Sequence, residues 1–492
     1  MRKIVYLGVI LSTFLLNSCE RDLNQLSPTK VAIETSLNGD DPTAFQAAID
    51  GAYDNLKNSG YFAGDTSQLG IPDEITDNLV INPQGRQTNF LAYNWNFNST
   101  NGSVNNLFIL GYYAISQANL PLKYIDNLED GPYKTNIIAQ ARAFRGMVHF
   151  DLVRAYCKIP TQSADANTSM GIDYVTTFDP TLKSEGRKLT VAQVYDKIIE
   201  DLKYAADNLT ITSTDKGRLT KAAVQGLLSR VYLYKGDYDN AILYGNLSIA
   251  ASPSVGSLAN FTNVWASNNT DGVLFKVLNA TAEGVTVGVV YQQGATATGG
   301  NIKSEYVVPK SFYDLFAAND IRKTAYMRRS NYTSGSSTTT RNHVIKWAYN
   351  TGGGTPLNVT EVKYIRTAEV YLNVAEAALR KATKDEALAN QLLNTLKAQR
   401  YTGYTPVNLT GQALLDEVLL QRRLELAFEV DRFYTLKRLG LPMQRTGEGP
   451  NIDGTGAAAV TQFVAAGDYR WQWPIPQSSI NKDANIPQNP NY

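Results

Sequence analysis

After Ser59 the chain loses its helical rhythm as far as Gly102, reading GYFAGDTSQLGIPDEITDNLVINPQGRQTNFLAYNWNFNSTNG. A run this long without periodicity, inside a compact domain, is a functional loop or a disordered one. Tyr61, Phe62, Tyr93, Trp95 and Phe97 are interleaved there with Asp65, Asp73, Asp77 and Asn94. An aromatic face stacks on the C–H face of a sugar ring, while short carboxylates and amides bond its hydroxyls. The same aromatics would equally pin the loop to a core, and composition leaves both readings open.

A second charged set lies in Leu414–Gly440, LLDEVLLQRRLELAFEVDRFYTLKRLG. Leu415, Leu419, Leu426, Val430 and Phe433 make a helical stripe. Arg422 and Glu425 are three apart, as are Glu429 and Arg432, so each pair can meet on one helix surface. The spacing predicts one helix, stopped by Gly440 and Pro442. Its Arg422, Arg423, Glu425, Glu429 and Arg432 are expected to form a structural ion-pair lattice, because alternating signs at this spacing satisfy each other.

Assembled catalytic chemistry is missing. The chain has two histidines and no H-E-x-x-H, G-x-S-x-G, P-loop or Cys/His metal spacing, so no enzyme, metal or cofactor is expected. Gly352-Gly353-Gly354 opens no helix and is no phosphate cradle. A carboxylate pair for glycoside hydrolysis stays open, since its separation of about 5–9 Å is a property of the fold. A net charge of +1 without a basic tract argues against a nucleic-acid partner. Two cysteines, Cys19 and Cys157, make no disulfide framework. Cys157 and His149 read as packed core residues.

The elements that must position these residues are mostly helical. With 492 residues and 43% hydrophobic side chains the chain can bury a large core. Helices are expected from Pro42 or Thr43 to about Lys57, over Asn106–Asn127 and Asn136–Lys158, and as three segments between Leu189 and Pro253. Thr190 and Thr220 are N-cap candidates and Gly236 a break. Ala222–Pro253 is about one tetratricopeptide unit of roughly 34 residues. Tyr364–Lys381 and Asp385–Arg400 form a similar pair. Between them Val255–Thr360 is Gly/Thr/Asn-rich, with VLFKVLNAT and VTVGVVYQQ as short strands. The expected fold is mostly α: a tetratricopeptide-like helical scaffold, with repeats over about 136–253 and 364–440, and an irregular loop-rich, partly β insert. Loop-rich ligand segments fall at about 59–102 and 255–360.

The N-terminus is a targeting segment. Arg2 and Lys3 precede an apolar run from Ile4 to Leu16, shorter than the ~20 residues that span a bilayer. Leu16-Asn17-Ser18-Cys19 resembles a bacterial lipobox. Residues 1–18 are thus expected to be a lipoprotein signal peptide, Cys19 the acylated residue, 19–42 a lipid-anchored tether and 43–492 one domain. Glu20 and Asp22 resemble acidic signals for the cell surface.

Four segments carry a family resemblance. QRRLELAFEVDRFYTLKRLG resembles the signature helix of the SusD/RagB family, and IIAQARAFRGMVHFDLVRAYCKIP its A-R-A-F helix. VPKSFYDLFAANDIRKTAYM carries its F…D-x-R motif at Phe316, Asp320 and Arg322. WPIPQSSINKDANIPQNPNY is similar to its closing segment. The resemblance implies an outer-membrane surface lipoprotein that binds oligosaccharide or polysaccharide without catalysis, as a lid on a SusC-like TonB-dependent transporter. In such proteins the helical stack contacts the transporter. It also points to the 59–102 loop for the glycan, with Tyr61, Asp73, Tyr93 and Trp95 as ligand contacts. A peptide-capturing member of the family, or less readily a surface glycoside hydrolase, is the alternative.

Overall fold

The computed structural model describes residues 33–492, apart from 180, 182, 213, 215, 267–268, 293–303, 335 and 349–357. The expected signal peptide, Cys19, most of the expected tether and Gly352–Gly354 lie outside the described residues. Residues 33–37 are held against the fold. Ile33–Ser36 forms one helical turn, Leu37 is buried, and Asn127 Nδ2 donates to the Leu37 carbonyl at 2.7 Å.

Ten longer helices carry the architecture: α1 (Thr43–Asp54), α2 (Gly102–Lys123), α3 (Pro132–Tyr156), α4 (Val191–Asn208), α5 (Lys221–Lys235), α6 (Tyr238–Ala251), α7 (Thr367–Arg380), α8 (Glu386–Ala398), α9 (Gly411–Glu425) and α10 (Arg432–Arg438). Thr190 opens α4 with a capping box: its hydroxyl accepts from Gln193 N, and the Gln193 side chain accepts from Thr190 N. The Thr220 hydroxyl caps α5 by accepting from Ala223 N, and Gly236, at φ 82°, closes it in the left-handed region. The expected caps and break are all present.

Each helix packs on the next, from α1 through α7, and α7 also meets α8 and α9. This is the tetratricopeptide-like stack that the sequence predicts, neighbouring pairs burying each other's faces. Gly245 lets α6 touch α7, since a Cβ there would stand 2.2 Å from Val374 Cγ2. Helix α3 is buried almost all round from Ala139 to Tyr156. His149 is fully buried and stacked on Tyr174 at 3.9 Å, and burial pushes it down to about 3. Cys157 is buried too. Both are core residues.

Strands are short and antiparallel: β1 (Val80–Ile81) with β3 (Tyr306–Val307), β2 (Val273–Val277) with β6 (Val362–Arg366), and β4 (Met327–Ser334) with β5 (Ser337–Val344). Met443–Gln444 pairs with Phe463–Val464.

Three expectations need correction. VTVGVVYQQ forms no strand over its described residues, 285–292; Gly288–Val290 is a single 3-10 turn. Tyr364–Arg366 belongs to β6, because it pairs with Val273–Phe275, and α7 starts at Thr367. Most important, 414–440 is two helices. Phe428 and Val430 both adopt φ of 65° between α9 and α10, a conformation that costs a non-glycine residue energy. Distant side chains take the carbonyls freed at this break. Trp347 Nε1 donates to Phe428 O, Lys346 Nζ to Ala427 O, and Tyr326 OH and Arg366 Nη2 to Glu425 O. Among the described residues no helix is long and apolar enough to cross a membrane.

Candidate functional site

The 59–102 segment folds as successive turns against the insert. Ile71–Glu74 is one helical turn with Pro72 in its first positions, and it aims Asp73 and Glu74 inward, both fully buried. Gly70 fixes the approach: a Cβ there would stand 2.2 Å from Val290 Cγ2 and 3.1 Å from Glu74 Oε1. Tyr291 OH donates to the Leu69 carbonyl at 2.8 Å. The loop is thereby closed onto the 287–292 turn.

Where these segments meet, buried polar atoms lack partners. Glu74 Oε2 accepts from Asn89 Nδ2 at 2.9 Å, and Asp73 Oδ1 from Asn78 Nδ2 at 2.9 Å. Among the described residues, Glu74 Oε1 and Asp73 Oδ2 have no hydrogen-bond partner, nor do the hydroxyls of Ser67 and Tyr306, the amide N and O of Gln68 and Gln292, or Asn358 Oδ1. Asn358 is itself tied to this wall, its Nδ2 donating to the Gln292 carbonyl at 2.7 Å. A buried polar group left unpaired costs about 1–3 kcal/mol, so such a concentration asks for a polar occupant.

Burial disfavours charge on the cluster's own carboxyls. Burial pushes Glu74 well above the usual carboxylate range, and Glu305, Asp65 and Asp73 add to it. Burial raises Asp73 to about 7 against the Asn78 hydrogen bond. Burial thus favours the protonated form of Glu74, which can donate as well as accept. At the outer edge Arg86 grips Glu305 at 2.9 and 2.6 Å and Asp65 at 3.0 Å, and Thr88 N and Oγ1 close on Glu305 at 2.6 and 2.9 Å. Arg86 keeps 54% exposure and Phe90, beyond Asn89, 40%.

Of the four residues expected to touch ligand, Asp73 belongs to this cluster and Tyr93 borders it, its ring 5.5 Å from that of Tyr306. Trp95 is fully buried, its Nε1 donating to the Ile75 carbonyl at 2.6 Å and its ring enclosed by Phe97, Phe433 and Trp471. Tyr93 is fully buried with the Arg445 guanidinium 3.9 Å over its ring. Tyr61 is fully buried and donates to Asp151 at 2.8 Å. These three aromatics pack the loop onto the core. Gln68, Glu74, Gln292, Tyr306 and Asn358 escaped the sequence reading. Their one signal was LGIPDEI, where two carboxylates sit amid apolar residues.

The expected lattice residues are charged and paired, but with other partners. Neither i,i+3 pair forms. Glu425 meets Arg366 at 2.7 Å, Arg400 at 2.8 Å and Arg322 at 3.3 Å. Glu429 meets Lys346 at 2.5 Å and Arg366 at 2.6 Å, and Arg422 meets Asp431 at 2.6 Å. The break at Phe428 and Val430 takes Glu429 and Arg432 off one common face, whereas Arg422 and Glu425, both in α9, are each drawn to other partners. Arg432 and Arg423 reach Asp77 at 2.7 and 3.0 Å, and hold its carboxyl at about 2 although burial alone would raise it. Arg423 Nε also donates to Asn78 Oδ1, the residue whose Nδ2 bonds Asp73. The lattice thus positions the polar cluster.

Two family profiles match, one described as starch-binding associating with outer membrane over residues 40–233, the other as the SusD family over 289–492. The chain belongs to the SusD/RagB family. It is similar to SusD-like protein P2 of Formosa agariphila, 26% identical, with 91% of this chain and 92% of that one covered. Among solved structures it resembles a SusD superfamily protein of Bacteroides thetaiotaomicron (25% identical, TM-score 0.77, 92% of this chain and 100% of that one). A putative sugar binding protein of Bacteroides vulgatus is similar as well (26%, TM-score 0.76, 92% and 98%). In this SusD/RagB chain the polar cluster is shared between the matched regions, Gln68–Asn89 in the first and Gln292–Asn358 in the second.

Proposed function

We propose that this chain captures an oligosaccharide or polysaccharide at the outer-membrane surface and passes it, unmodified, to a SusC-like TonB-dependent transporter. The reading rests on the buried polar cluster of Gln68, Asp73, Glu74, Gln292, Tyr306 and Asn358. Sugar hydroxyls each donate and accept, which matches a wall offering both roles. Phe90 supplies an exposed apolar face at the edge. Binding needs no bond cleavage. A lipid on Cys19 would hold the chain at the membrane, and two acyl chains or more make such an anchor stable. Exposed Leu243 and Leu247, on one face of α6, favour the helical stack as the surface that meets the transporter.

Native affinity electrophoresis in gels containing soluble polysaccharides tests the reading. Retardation by one glycan class supports it. Migration unchanged in every glycan, with binding of peptides instead, would replace it by peptide capture.

A further inference from the structure

The hairpin β4–β5 packs against β3 and the two residues before it, Ser304 and Glu305. Its register pairs Arg328 with His343 and Ser330 with Arg341, and directly opposed residues project to the same side. His343 Nδ1 lies 2.9 Å from Ser304 Oγ, and Arg341 Nη2 donates to Gln84 Oε1 at 2.8 Å. Asn82 Nδ2 donates to the Ser304 carbonyl at 2.9 Å. This face therefore adjoins the edge where Arg86 and Thr88 hold Glu305.

Two features on it are unspent. Arg328 Nε and Nη2 are buried and have no hydrogen-bond partner, and Arg328 has no ion pair among those of the described residues. His343 is fully buried, and its Nε2 also lacks a partner. Nε and Nη2 form the guanidinium edge that grips two oxygens of one oxyanion at once. The neighbouring carboxylate does not meet that need, because Glu305 is already committed to Arg86 and Thr88. Burial pushes His343 down to about 4, aided by Arg341 and Arg328, so at neutral pH it adds no charge. In the tautomer whose Nδ1 accepts from Ser304, Nε2–H is a neutral donor.

We infer that the Arg328 Nε/Nη2 edge, with His343 Nε2, is an oxyanion subsite beside the polar cluster, so that the saccharide captured carries an acidic group. This rests on the saccharide reading above and narrows it to glycans bearing a uronate carboxylate or a sulfate ester. Repulsion from the neighbouring carboxyls is limited, since burial disfavours the charged form of Glu74 and Asp65 and Glu305 are paired with Arg86.

The test uses the full chain in detergent and calorimetric titration. Polygalacturonate, alginate and glucuronoxylan are each compared with their carboxyl-reduced forms, with carrageenan as sulfate ester and starch and arabinogalactan as neutral polymers. The expected result is binding of one acidic polymer, weakened about tenfold or more by carboxyl reduction. Arg328→Gln is expected to weaken the acidic polymer by the same factor and leave the reduced one unchanged. Arg328→Lys, which keeps the charge without the fork, falls between. Carrageenan binding lost in Arg328→Gln assigns the sulfate ester as the oxyanion. Equal affinity of the unmutated chain for acidic and reduced forms overturns the subsite while the saccharide reading stands, and needs no variant to fold. Binding of none of the polymers overturns both.

Discussion

Arg366 Nη1 lies 2.7 Å from Glu425 Oε1, and both side chains are buried. The pair joins β6 to the last turn of α9 beside the Phe428–Val430 break. Removing one partner of a buried pair strands the other, at a cost of about 3–5 kcal/mol. Glu425→Ala is expected to lower the urea midpoint accordingly. Burial opposes ionisation of Glu425, but Arg400 and Arg366 hold it well below the carboxylate range. Its contribution is thus full above the unfolded carboxylate value and lost as pH falls through the depressed one. The variant should show a smaller loss of stability on acidification.

Asp73 has the opposite sign. It is raised from 3.8 to about 7, so between those values the native state keeps a proton that the unfolded chain releases. Stability must fall as pH rises across that window and level off above it, and Glu74 adds a slope of the same sign. Urea midpoints at pH 5 and pH 8 should differ less in Asp73→Asn than in the unmutated chain. An unchanged difference would place the proton elsewhere.

Trp95 separates pinning from binding. Its enclosure by Phe97, Phe433 and Trp471 predicts that Trp95→Ala loses about 3–5 kcal/mol. Trp95→Phe should keep most of the packing and bind glycan as the unmutated chain does. Glycan affinity lost in a folded Trp95→Phe would return the ring to the ligand.

The helical scaffold was legible because its signals are local: Thr190, Thr220 and Gly236 act on the backbone beside them. The break in 414–440 was not, since nothing near Phe428 announces it; Trp347, Lys346, Tyr326 and Arg366 come from 62 to 102 positions away and are placed by the fold. The segment holding the candidate site was readable from its lost periodicity. The side chains were not. Aromatics marked where the loop meets the core, whereas the polar cluster draws on Gln292 and Asn358, which no spacing links to Gln68 and Glu74.

Anchoring is tested at Cys19. The full chain expressed in a Gram-negative host is expected to partition into the detergent phase, and Cys19→Ala into the aqueous phase. Detergent partitioning of the variant would rule out the lipobox.

The most direct measurement is calorimetric titration of the full chain with the retained polysaccharide, beside Gln68→Leu and Gln292→Leu. Both amides lack partners, so their loss should leave the urea midpoint unchanged or raised, while each lost hydrogen bond weakens binding about tenfold. That combination is the predicted result. Full affinity in both stable variants would contradict the account, because the polar cluster would then not be where the saccharide sits.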